Sequence, residues 1–212
     1  MDLNDKLEQR LRAAAGELAA PEFDTGAFAE RATREGAADV AYAVVDSPLG
    51  DLLVAQTPRG LARIAYLDFT TTDRVLNDMA ARLSPRMLEA PGRLDEARRE
   101  LDDYFAGRRR DFELAIDWTL VGPFGRRVLG HTARIPYGST SSYGEIARAI
   151  GSPRAARATG NALGANPIPI VVPCHRVLRS GGALGGYTGG LHRKELLLAI
   201  ERGERQLEPE RR

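Results

Sequence analysis

Three prolines in seven residues, Pro167, Pro169 and Pro173, lead into the chain's single cysteine in the run NPIPIVVPCHRV (166–177). No other feature constrains the fold as much. Proline fixes φ and lacks an amide donor, so this run is neither a helix interior nor a central sheet strand. It reads as a stiff extended segment that delivers Cys174 and His175 to one place. The glycine-rich loop RSGGALGGYTGG (179–190), with Tyr187 as its one aromatic residue, follows.

A lone cysteine forms no internal disulfide and no cysteine-rich zinc site. What remains is inert burial as a small apolar residue or chemistry. A thiol attacks carbon only as the thiolate, and a free cysteine at pKa ~8.5 is mostly protonated near neutrality. Lowering it to roughly 5 or 6 needs a cation, a hydrogen-bonded imidazole or a helix N-terminus. His175 is adjacent, but neighbours on an extended strand face opposite ways. A direct contact therefore needs a turn here, or a bridging water. Such a pair works best when a third group orients the imidazole. Glu201 is the favoured candidate, although other glutamates would serve as well on sequence grounds.

Residues 1–38 read as an alanine-rich helical extension, with Leu3, Leu7, Leu11, Ala14 and Leu18 in one apolar stripe. From residue 40 the period changes. VAYAVVD, DLLVAQ and LARIAYL, separated by the turn sequences SPLG and TPRG, predict a three-stranded antiparallel meander. Helices are expected over 72–83 and 94–106, the second stopped by Gly107, and DFELAID (111–117) resembles a further strand. This half, 39–118, reads as an α/β scaffold without evident chemistry. A second domain spans 119–205, and 206–212 is a charged tail.

The second domain opens with a helix over 123–134, started by Pro123. Ser142-Tyr-Gly-Glu145 is a capping-box pattern for a short helix ended by Gly151, and Ser152-Pro153 start a second helix running to Gly164. Two short helices joined by a tight glycine turn form a helix-turn-helix. Arg154, Arg157 and Asn161 fall on one face of the second helix, whose other positions are mostly alanine and glycine. Between residues 121 and 180 there are eight arginines and one acid, a formal +7 in a chain of net +1. One reading is a solvated arginine surface in a chain with only two lysines, Lys6 and Lys194. The slim helix and the turn geometry favour a phosphate backbone as the partner. No apolar run approaches the ~20 residues that span a bilayer. The N-terminus, acidic from Asp2, does not read as a secretory signal. A cytoplasmic protein with no membrane partner is the expectation.

Taken together, SYGEIA (142–147), PRAARATGNALGANPIPIVVP (153–173), PCHRV (173–177) and GGYTGGLHRKELLL (185–198) resemble the O6-alkylguanine-DNA alkyltransferases in order and spacing. SPLGDLLVAQTPRGL (47–61) is similar to the N-terminal half of that family, so the resemblance covers about 40–201. It implies an α+β fold: a small antiparallel-sheet, ribonuclease H-like domain, then a helical domain with a winged helix-turn-helix-like motif. It implies DNA repair by direct reversal: Cys174 takes the alkyl group from O6 of guanine in double-stranded DNA, once and irreversibly, with no cofactor and as a monomer. In that scheme His175 takes the thiol proton through a water, Glu201 holds the imidazole and Asn166 braces the active-site turn. Tyr143 presses on a phosphate, Arg157 fills the space left by the flipped base, and Ser142, Arg154 and Asn161 contact DNA. Pro169, Val177, Tyr187, Thr188, Gly189 and Leu163 line the base pocket. Tyr187 donates to guanine N3, the Thr188 amide to O6, and the carbonyls of Cys174 and Val177 read the exocyclic amine.

Some positions depart from the family. Asn161 stands where a smaller residue is common, and Thr188 where serine is. Some relatives hold a structural zinc; with Cys174 and three histidines, this chain cannot build a cysteine-dependent site. Two rival readings remain on the sequence: a protein that binds alkylguanine lesions without transfer, and a Cys-His hydrolase or redox enzyme. Cys174 argues against the first, and the absence of a resolving cysteine against the second.

Overall fold

The computed structural model describes residues 31–32 and 35–204. The expected helical stripe within 1–38 and the tail 206–212 lie outside the described residues. The meander forms as β1 (Val40–Val45), β2 (Leu52–Thr57) and β3 (Gly60–Tyr66), antiparallel neighbours in sequence. Along β2, Leu52 and Val54 face the main core while Leu53 and Ala55 face a second cluster containing Val75 and Met79. Burial on both faces is why this strand reads as continuous aliphatics rather than an alternation.

Helix α1 (Thr72–Arg82) supplies Val75 and Met79 and covers that outer face, its first turn capped by the Thr71 side chain. A short β4 (Met87–Glu89) then adds to the edge of β1 in parallel, giving the order β3-β2-β1-β4. The sheet is therefore mixed and not purely antiparallel. A crossover through α1 is what allows the parallel return. Helix α2 (Asp95–Phe105) follows, ended by Gly107 at φ 70, and buries Ala97, Leu101 and Tyr104 in the main core.

The segment 111–117 is not the strand expected of it. It makes one isolated bridge, Ile116 to Leu61. Its backbone runs beside β3, with Leu61 N donating to Ala115 O and Asp117 N to Leu61 O. Two bonds of this kind cover a sheet edge without building a ladder. Farther along the same strand, Ile64 N donates to Pro167 O, so β3 also holds the proline-rich run.

The second half is a helical cluster. Helix α3 (Pro123–Thr132) packs on α4 (Tyr143–Ala149) and α5 (Ala156–Gly164). The capping box at Ser142 and Glu145 is complete in both directions, an arrangement worth about 1 kcal/mol. Gly151, at φ 71, carries the chain out of α4. Helix α5 begins at Ala156, later than expected, with Ser152 to Ala155 forming a hydrogen-bonded turn. Arg154 thus sits on the turn before α5, not on its face. A two-residue parallel pair, β5 (Ser141–Ser142) with β6 (Val177–Leu178), makes the wing, and α6 (Leu191–Glu201) closes the chain. One apolar core runs through both halves, joining Leu52, Leu101 and Tyr104 to Val128, Ile168 and Leu197. Among the described residues no helix is long and apolar enough to cross a membrane.

Candidate active site

The proline-rich run is not extended. It coils into a buried turn, with Val172 N donating to Ile168 O and Cys174 N to Val172 O. Ile170 sits at its centre at φ 75, fully buried. A β-branched residue with positive φ is strained and persists only where its surroundings over-determine it. Asn166 is part of that determination. Its Oδ1 accepts from Ile168 N at 3.0 Å, and its Nδ2 donates to Val172 O at 2.8 Å and to Cys174 Sγ at 3.2 Å.

Cys174 to Arg176 form a 3-10 turn that sends successive side chains in different directions. Cys174, 4% exposed, faces a cavity of about 790 Å³. His175 and Arg176 turn inward, away from it. His175 Nε2 lies 2.8 Å from Glu201 Oε1, and the Arg176 guanidinium donates to both Glu201 oxygens at 2.8 to 3.0 Å. The Tyr104 hydroxyl donates to Oε1 at 2.8 Å and Gly138 N to Oε2 at 3.1 Å. Burial acts to raise the Glu201 pKa, but the His175 and Arg176 bonds outweigh it and hold the carboxyl well below its usual range. Burial pushes the His175 pKa down despite Glu201. The ring is therefore neutral at pH 7. With an ionised carboxylate at Nε2, the proton belongs on Nε2 and the lone pair on Nδ1. Nδ1 is buried and has no hydrogen-bond partner among the described residues. It is a base with its lone pair free.

The thiol is not held ionised, contrary to expectation. Burial pushes the Cys174 pKa up to about 11, and the Asn166 hydrogen bond and the Lys194 charge only partly offset it. Lys194 was not singled out on sequence grounds. It is fully buried, its Nζ donating to Val177 O at 2.5 Å, and burial lowers its pKa to about 8 although Cys174 acts to raise it. Its rarity, one of two lysines in the chain, was the available signal. Arg176 also changes role. It belongs to the buried Glu201 cluster and not to the solvent-facing basic surface.

Around the cavity stand Tyr143, Arg157, Leu163, Arg179, Tyr187 and Thr188. Arg157, on exposed α5, shares the cavity wall with Cys174 on its floor. Tyr143, the first residue of α4, packs over Gly160 and into room left by Gly185, where any Cβ would collide with its hydroxyl. Thr188 Oγ1 donates to Gly164 O at 3.0 Å and ties the loop to the end of α5. Pro169, Val177 and Gly189 are buried behind the wall. The Val177 carbonyl already accepts from Lys194, and that of Cys174 from Val177 N, which leaves each one lone pair. Ser142 is committed to its capping box, while Arg154 and Asn161 are exposed beside Arg157.

An unpaired cysteine on the floor of a cavity walled by a helix-turn-helix defines a class: DNA-binding proteins that carry their own acceptor thiol. The chain belongs to the 6-O-methylguanine DNA methyltransferase family. That family's ribonuclease-like domain matches residues 40–118 and its DNA binding domain residues 123–203. A methylated-DNA–protein-cysteine methyltransferase of Mycolicibacterium paratuberculosis is 44% identical over 164 residues, covering 77% of this chain and 93% of that protein. The constitutive methylated-DNA–protein-cysteine methyltransferase of Bacillus subtilis is 38% identical, covering 76% and 94%. Among solved structures, Mycobacterium tuberculosis OGT in complex with DNA superposes with a TM-score of 0.68 at 40% identity, covering 79% of this chain and 96% of that one.

The raised thiol gives a pH dependence with a definite sign. In the DNA-free protein, alkylation of Cys174 by iodoacetamide requires the thiolate. With a pKa of about 11, its rate should rise about tenfold per pH unit from pH ~7 to ~9. Intact-protein mass spectrometry follows it. A plateau beginning near pH ~6 would mean a resting thiolate.

Proposed function

We propose that this protein repairs DNA by direct reversal, moving the alkyl group of O6-alkylguanine onto Cys174 in a single turnover. One observation carries the reading: the acceptor sulfur and Arg157 share a cavity, and a neutral imidazole with a free lone pair lies in the residue next to that sulfur. Family membership supports the same chemistry. We also propose the domain division 39–118 and 119–205, flanked by the 1–38 extension and the 206–212 tail, and a monomer as the working form.

The target atom is inaccessible inside a stacked duplex, so the nucleotide must rotate out, at a few kcal/mol and less for a poorly paired lesion. Tyr143 and Arg157 border the cavity, the first placed to press on the phosphate and the second to fill the vacated space. Arg154, Asn161 and Ser142 flank them on the DNA side. Within the cavity Tyr187 donates to N3 and the Thr188 amide to O6, where negative charge gathers as the bond breaks. The remaining lone pairs on the Cys174 and Val177 carbonyls accept from the exocyclic amine. Pro169, Leu163 and Gly189 shape the floor and wall.

His175 Nδ1 takes the thiol proton through a bridging water, and the imidazolium so formed gains the Glu201 charge. Sulfur attacks the alkyl carbon, the carbon–O6 bond breaks, and its electron pair leaves on guanine. Guanine takes up one proton, matching the one the thiol gave. The product thioether has no proton to lose and no route back to a thiol, so one chain acts once. Lys194 stabilises the transient thiolate from its buried position.

Incubated with a duplex carrying one O6-methylguanine, the protein should gain the mass of one methyl on Cys174, stoichiometrically and once. Binding without a mass gain would favour a lesion-binding protein instead. Arg157→Ala should slow repair in a duplex by roughly tenfold or more while leaving attack on free O6-benzylguanine nearly unchanged, since only the duplex needs a base displaced. Equal losses on both substrates would contradict an inserting arginine.

A further inference from the structure

The ribonuclease-like half reaches the cavity wall through Tyr66, the last residue of β3. Its phenol oxygen lies 2.8 Å from that of Tyr187, and the two rings meet edge to face with centroids 6.3 Å apart. Tyr187 borders the cavity, whereas Tyr66 is 4% exposed. The pair is clamped. The Arg193 guanidinium lies 4.7 Å above the Tyr66 ring and is anchored on Leu49 O, Gly189 O and Asp68. A Cβ on Gly189 would stand 2.5 Å from the Tyr66 ring and 2.9 Å from that of Tyr187, so the loop packs on both without slack.

A phenol has one proton to give and can accept in return. In the free protein either hydroxyl can donate to the other. Once Tyr187 gives its proton to a purine nitrogen in the cavity, its oxygen needs a donor, and Tyr66 is the phenol within reach. Hydrogen bonds in such a chain strengthen one another. We propose that Tyr66 is a positioning residue for alkyl transfer: its hydroxyl donates to Tyr187 and fixes the Tyr187 proton toward N3 of the bound purine. The ribonuclease-like half then contributes to base recognition as well as to scaffolding. This rests on the alkylguanine reading above.

O6-benzylguanine and its 3-deaza analogue, in which C–H replaces N3, are the probes. Transfer to Cys174 is followed by intact mass. Wild-type protein should react faster with the guanine compound. Tyr66→Phe keeps the ring, its packing and the Arg193 contact, and removes one hydroxyl. It should slow transfer from O6-benzylguanine about five- to tenfold, the worth of one hydrogen bond, and leave the 3-deaza rate unchanged. Equal slowing on both probes marks a merely structural role and overturns the proposal, as does no slowing on either. Tyr187→Phe tests the contact beneath it. That variant should lose the preference for the N3 compound; if the preference survives, the N3 contact and the Tyr66 relay both fall. Absence of transfer from either probe to wild-type protein overturns the alkyl-transfer reading itself, and the relay with it.

Discussion

The buried carboxylate of Glu201 is the interaction on which the rest of the site depends. It accepts from Tyr104 of α2, Gly138 after α3, and His175 and Arg176 in the cysteine turn, while itself standing on α6. Four separate pieces of chain converge on two oxygens. Burying an ion pair is costly, and its net worth against an apolar substitute is small. Breaking one after the fold is committed costs roughly 3–5 kcal/mol, because a charge is left without a partner. Arg176, anchored at its far end on Ile135 O, would be that charge. Glu201 is therefore a fixed point for the fold, and the same bonds leave His175 neutral with its basic nitrogen free.

The site separates two properties that a reactive cysteine often combines. Its sulfur is accessible from a cavity, yet burial keeps it protonated. A thiol in that state reacts slowly with stray electrophiles, which suits a group that can be used once. Activation then falls to the neighbours: Nδ1 of His175 to receive the proton, Asn166 to donate to sulfur, and the buried Lys194 to favour the anion. Each is held by backbone or carboxylate contacts that form on folding.

Much of the frame was legible because its signals are local. The capping box at Ser142 and Glu145, the glycine stops at 107 and 151, and Pro123 at a helix start each act within a few residues. The motif around Cys174 was legible for the same reason. What escaped depends on distant partners. β4 is three residues long and exists because β1 offers an edge. The segment 111–117 has strand-like composition but finds only part of a ladder. The proline-rich run excludes helix and central strand, as its composition says, but its coiling around Ile170 is imposed by Asn166 and by β3. Arg176 was counted with the basic surface, since no local pattern separates a buried arginine from an exposed one. Tyr66 lies 121 positions from Tyr187, and nothing in β3 announces that contact.

The central claim is that Glu201 fixes His175 as a neutral ring with its proton on Nε2. Nitrogen-15 NMR of histidine-labelled protein reads this directly. Between about pH 6 and 8 the His175 signals should be those of a neutral imidazole protonated at Nε2, with Nδ1 bare, and should not titrate, because burial lowers its pKa below ~6.5. An imidazolium at pH ~7, or a ring protonated at Nδ1, would contradict the account.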